Sequence, residues 1–224
     1  MSIWRAQAPL QLLKRLAGCV GQDCVLCGAA SNDALVCPPC DARLPRCEEE
    51  PTAAPGAHAF DEAIAVFDYR FPVDRLVQRF KFSGDLAIGR WLGEQLAQRV
   101  RGLPAPALLV APPQTASRLR ERGFNQALEL AKVVGRAGDT RVELSGLVKL
   151  RETVPQPSLG GHARRRNLRG AFACGLALEG LHVAIVDDVL TTGATADALA
   201  RVLKAAGAAR VSVWTAARAP HPRR

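Results

Sequence analysis

Three observations in this chain predict an α/β fold: a parallel sheet flanked by helices, with a small cysteine-rich lobe ahead of it. From residue 64 onward, short apolar runs of strand length alternate with longer segments of helical character. In residues 183–200, VAIVDDVLTTGATADALA, an apolar run leads into two acids, a Thr-Thr-Gly turn and a helical stretch. Six of the seven cysteines fall within residues 19–47. With 224 residues, 48% of them hydrophobic, the chain is long enough to bury a real core. No apolar run approaches the roughly 20 residues that span a bilayer, so no membrane span is expected.

Residues 1–18 read as an amphipathic helix, with the pattern clearest over residues 9–17. Leu16-Ala17-Gly18-Cys19 imitates a lipoprotein cleavage box. Lys14 and Arg15 interrupt the apolar stretch of about 7–15 residues that export requires, so a cytoplasmic location is expected. The cysteine lobe covers residues 19–50. Cys24-x2-Cys27 and Cys37-x2-Cys40, nine residues apart, form two knuckles that can complete a tetrahedron of thiolates around one ion. Gly28 after the first pair and Pro38-Pro39 inside the second suit tight turns. In a reducing compartment disulfides are disfavoured, and structural Zn²⁺ on Cys24, Cys27, Cys37 and Cys40 is the expectation. Cys19 and Cys47 are left over, and Cys174 is read as an inert core thiol.

Residues 51–63 are expected to link the lobe to the main domain at 64–219; Pro51 to His58 carries the linker composition, with His58 read as solvated or near the zinc. Strands are expected at Ile64–Tyr69, Ala107–Val110, Leu147–Leu150, Val183–Val186 and Val211–Thr215. Helices are expected at Val73–Phe82, Asp85–Val100, Phe124–Arg136 and Ala194–Ala206. In such a sheet the ligand lies beyond the carboxyl ends of the strands. Asp187 and Asp188 are expected where the 183–186 strand ends.

The turn after those acids has the makings of an anion cradle. First-turn amides of a helix lack backbone partners and the helix dipole favours negative charge there. Gly193 allows close approach to the backbone, and Thr191, Thr192 and Thr195 add hydroxyls. Acids beside such a cradle suit a sugar phosphate, whose diol they can accept. Strand, paired acids and T-T-G-x-T are similar to the 5-phosphoribosyl pyrophosphate (PRPP) signature of type I phosphoribosyltransferases. Two more loops fit: Arg118, Arg120 and Arg122 with Asn125 and Gln126, suited to a diphosphate, and the long 151–164 segment leading into Arg164–Arg169, read as a lid.

The whole chain then resembles the ComF/GntX family, through the four-cysteine lobe, Leu76–Gly84 with Phe80-Lys81-Phe82, Arg122-Gly-Phe-Asn-Gln126, Thr153-x-x-Gln156, Arg166-Asn-Leu-Arg-Gly-Ala-Phe172 and the 183–195 signature. The resemblance implies a type I phosphoribosyltransferase fold and Mg²⁺-PRPP, or a related ribose phosphate, as ligand. It implies that Asp187 and Asp188 take the ribose hydroxyls. Thr191, Thr192, Gly193, Ala194 and Thr195 would take the 5′-phosphate, and Arg122, Gln156 and Arg166 the pyrophosphate. It also associates the chain with DNA utilisation and the competence machinery. Residues 64–224 hold 25 basic and 13 acidic side chains, a net of +12, which suits an anionic small molecule or single-stranded DNA equally. Phosphoribosyl transfer to an unnamed acceptor and a non-catalytic, PRPP-sensing DNA-binding role both remain open on these residues.

Overall fold

The computed structural model describes residues 22–48, 52–53, 58–151, 168 and 170–219. The expected helix at 1–18, Cys19, Gln156 and Arg164 to Arg166 lie outside them. The chain divides into two units, Met1–Leu44 and Pro45–Arg224.

In the first unit, residues 22–44 turn repeatedly and pair only through the isolated bridge Asp23–Ala30. Gly28 closes the first knuckle at φ 71°, donating its N–H to the Cys24 carbonyl at 2.8 Å. A side chain there would strain the turn. The second knuckle opens the short helix α1 (Pro38–Asp41), entered from an extended Cys37 and started by proline. Val36 and Leu44 are the only large aliphatics buried among its described residues.

In the second unit a six-stranded sheet runs β1-β2-β8-β7-β3-β4. Its strands are β1 (Thr52–Ala53), β2 (Glu62–Asp68), β3 (Leu108–Val110), β4 (Val142–Glu143), β7 (His182–Leu190) and β8 (Arg210–Arg218). All neighbours are parallel except β1, which pairs antiparallel with β2. The expected parallel sheet flanked by helices is therefore present. Val183–Val186 of β7 and Val211–Ala217 of β8 are buried without a break because both faces are covered.

Strand alternation sorts the core. Val110, Val183, Ile185, Val211 and Val213 pack with Leu199 and Leu203 of α6 (Ala194–Ala205). The alternate residues Leu109, Ala184, Val186 and Trp214 face the other layer, built from α2 (Val73–Ser83), α3 (Leu86–Arg99) and α5 (Gln126–Gly138). That layer is tight. A Cβ at Gly89 of α3 would stand 2.3 Å from the Phe80 ring, and one at Gly93 would stand 2.7 Å from Val133.

Several elements differ from expectation. β7 continues past Val186 to Leu190, so Asp187 and Asp188 lie inside the strand rather than after it. The neighbour β3 ends opposite Ile185, whereas β8 stays paired with β7 as far as Leu190. The acids thus stand beyond the carboxyl end of β3 while their own backbone is held by β8. The expected strand at 147–150 does not join the large sheet: β5 (Leu147–Lys149) pairs antiparallel with β6 (Phe172–Cys174). Cys174, at the end of β6, is half-buried and packs against the core. The arginine-rich loop forms a helix of its own, α4 (Ala116–Arg122), closed by left-handed Gly123.

Candidate functional site

The two acids diverge. Successive strand side chains point to opposite faces, so Asp188 turns to the layer of α2, and Asp187 to that of α6. Asp188 is 7% exposed, and its Oδ1 meets the Lys81 ammonium at 2.8 Å. Asp187 Oδ1 accepts the backbone N–H of Asp188 at 2.8 Å. Burial, joined by the neighbouring Asp188 carboxylate, raises the Asp187 carboxyl to about 7; that N–H and Lys81 only partly oppose the rise.

Beyond the strand, Thr191 is exposed, Thr192 and Thr195 are partly buried, and Gly193 and Ala194 are buried. Gly193 begins α6 at φ 72°, and no side chain caps the helix. Its first-turn amides are therefore available to an anion. Asp187, Asp188 and the 191–195 turn are brought together on one contiguous segment.

His58, read from sequence as a linker residue, packs on this turn instead. A Cβ at Gly193 would lie 3.1 Å from its imidazole Cε1. The ring stacks on Phe60 at 4.6 Å, and its Nδ1 is 3.8 Å from Asp197 Oδ1 in the first turn of α6. The same oxygen accepts the N–H of Ala59 at 2.6 Å. A polar-looking Pro/Ala/Gly stretch gives no periodicity from which this docking could have been read.

Arg122, Asn125 and Gln126 do mostly internal work. Asn125 caps α5 by accepting from Leu128 N and donates to the Pro112 carbonyl at 3.0 Å. Gln126, 2% exposed, accepts from Gln114 at 2.7 Å and from Arg122 at 3.3 Å, and donates to the Lys81 carbonyl at 3.3 Å. The Arg122 guanidinium lies 5.4 Å from the centroid of the exposed Phe82 ring. Arg-Gly-Phe-Asn-Gln and Phe-Lys-Phe are thus two halves of one clamp that aims Lys81 at Asp188. Lys81 is the residue sequence reasoning left without a role; its only signal was its place in the Phe-Lys-Phe motif.

In the first unit the sulfurs of Cys24, Cys27, Cys37 and Cys40 all lie within 4.8 Å of one another. Cys27 and Cys37 are 3.7 Å apart, close to the roughly 3.8 Å edge of a tetrahedron with ~2.3 Å metal–sulfur bonds. Burial opposes ionisation of Cys24. The N–H groups of Cys37, Cys27 and Leu26 outweigh it, bringing the thiol down to about 6. Cys40 is pushed up to about 12, first by thiol contacts with Cys37 and Cys27. One thiolate is tolerated and the next is costly, which is the electrostatics of a site fitted for a cation. This cluster could hold a metal ion. Cys47 belongs to the second unit, where it is buried and its N–H donates to Val66.

The chain is 34% identical to the DNA utilization protein YhgH of Escherichia coli O6:H1, across 85% of this chain and 88% of that protein. It belongs to the family of DNA utilization protein YhgH and competence protein F. Competence protein F of Haemophilus influenzae is 33% identical over 72% of this chain and 74% of its own. No family model matches the chain. Among solved structures, the glutamine PRPP amidotransferase of Bacillus subtilis, complexed with ADP and GMP, aligns with a TM-score of 0.40 and 26% identity. That alignment covers 57% of this chain and 26% of the amidotransferase. Among the described residues no helix is long and apolar enough to cross a membrane.

Proposed function

We propose that this ComF-family protein binds PRPP, or a closely related ribose phosphate, at the carboxyl end of β7, as a phosphoribosyltransferase-like component of DNA utilisation. The observation that carries the reading is the continuous run from two strand acids, Asp187 half-buried and Asp188 buried, into an uncapped helix turn with left-handed Gly193. Asp187 and Asp188 accept the ribose hydroxyls, and the amides and hydroxyls of residues 191–195 hold the 5′-phosphate. On this reading Arg122, Gln156 and Arg166 would be the contacts for the pyrophosphate. The two carboxylates are hard oxygen donors suited to Mg²⁺, which would offset the charge of the diphosphate. Zn²⁺ on Cys24, Cys27, Cys37 and Cys40 supplies folding free energy to a lobe that buries few aliphatics.

Replacing Asp187 and Asp188 together with Ala should lower Mg²⁺-PRPP affinity by at least about tenfold, since each charged acceptor contributes ~1.5–3 kcal/mol. Calorimetry on the folded variant checks this; unchanged affinity would overturn the reading. A second reading, retention of single-stranded DNA, is favoured by the net +12 of residues 64–224 and by the names of the relatives. It expects weak, sequence-indifferent binding whose salt slope is ~0.7 per phosphate contacted. Changing Arg165 and Arg166 to Ala should flatten that slope by about one unit. Filter binding with an unchanged slope and a loss of PRPP affinity would assign those arginines to the small ligand alone.

A further inference from the structure

Lys81 invites a question that the ribose-phosphate reading leaves open. Its ammonium is on the last turn of α2, held there by the Gln126 bond to its own carbonyl and by the packing of Phe80 against Phe124. The lysine contacts Asp188 at 2.8 Å with only 22% of its side chain exposed. Asp188 therefore already has a cationic partner on Oδ1. A hydroxyl arriving at Asp188 competes with Lys81, and a half-buried ammonium deprived of its carboxylate loses a favourable partner unless another anion replaces it.

We infer that Lys81 is an exchangeable counter-ion, which passes from Asp188 to the second anionic group of the ligand as the ribose diol takes its place. This rests on the ribose-phosphate reading and adds to it a selection rule. A ribose carrying only a 5′-phosphate has that phosphate engaged by the 191–195 turn and offers Lys81 nothing in exchange. A ribose carrying a diphosphate at C1 as well offers both partners at once. The lysine's flexible four-carbon stem allows the swing, and its compact charge suits a phosphate oxygen. The site then favours doubly phosphorylated ribose over singly phosphorylated ribose through one side chain.

The test compares two probes, Mg²⁺-PRPP and ribose 5-phosphate, by calorimetry on the full chain. Lys81→Met should weaken PRPP binding by about tenfold or more, the loss of one charge-assisted contact. Ribose 5-phosphate affinity should stay level or tighten, because Asp188 is released. Lys81→Arg, which keeps the charge, should retain most of the preference, and Lys81→Gln offers the same comparison with a different packing should the Met variant not fold. Equal weakening for both probes would make the ion pair purely structural and overturn the inference, as would unchanged PRPP affinity. Wild-type protein that binds neither probe would instead overturn the ribose-phosphate reading itself.

Discussion

The cysteine unit and the sheet unit are stabilised by different means. Residues 22–44 form few regular elements and bury only Val36 and Leu44 as large aliphatics, while four sulfurs gather within 4.8 Å. The sheet unit buries long apolar strands on both faces and closes its helices to contact. A few buried aliphatics cannot offset the ordering of some two dozen residues, whereas metal–thiolate bonds can. In the sheet unit the free energy is spread over many side chains, so no single one decides the fold. The difference teaches where each unit is vulnerable: one at a point, the other only by increments.

The largest expected effect is at that point. Cys24→Ser or Cys37→Ser should release about one zinc per chain and unfold the lobe, since structural zinc contributes on the order of 10 kcal/mol. Elemental analysis with hydrogen exchange checks this; a metal-free lobe with native protection would erase the contrast. Next, Leu203→Ala, at a fully buried α6 position, should lower sheet-unit stability by about 2–5 kcal/mol without melting it at room temperature. Chemical denaturation reads it, and complete unfolding would show the sheet to be as brittle as the lobe.

A smaller effect is expected at the turn. Gly193→Ala forces a side chain into φ 72° and to within 3.1 Å of His58, costing about 1–2 kcal/mol and weakening PRPP binding. Calorimetry with wild-type affinity would count against a phosphate contact there. A last effect concerns Asp187. Because its folded pKa is raised from 3.8 to about 7, the folded state binds the proton more tightly. The stabilisation is complete below about 4 and is lost as pH rises through about 7. Asp187→Asn should therefore be more stable than wild type at pH 8, with a flatter profile between pH 4 and 7. Melting curves across that range decide it, and parallel profiles would refute the shift.

What was legible in the sequence follows the length and locality of each signal. β7 and β8 announce themselves as apolar runs, and the acids, the glycine turn and the cysteine knuckles are contiguous or closely spaced. β1 and β4 have two residues each, too few for any periodicity, and owe their form to pairing with a neighbour. The extension of β7 through two acids defies strand propensity and depends on β8, whose pairing continues to Leu190. Lys81 and His58 were missed for a related reason: their partners are remote along the chain, so only the folded topology joins them. The amides of Asn125 and Gln126 looked ligand-directed because composition cannot distinguish a clamp from a contact.

The Lys81–Asp188 pair also has a consequence for the chain as it is being made. Its lysine comes from the first layer of helices to be synthesised in the sheet unit, and its acid from the end of β7 beyond β3, where β8 is the paired neighbour. A partly synthesised or truncated chain thus lacks the assembled pair however well its early helices form. Ligand present in the cell would bind only finished molecules and stabilise them by mass action. Under the proposed function, the abundance of mature protein would then rise and fall with the supply of the ribose phosphate.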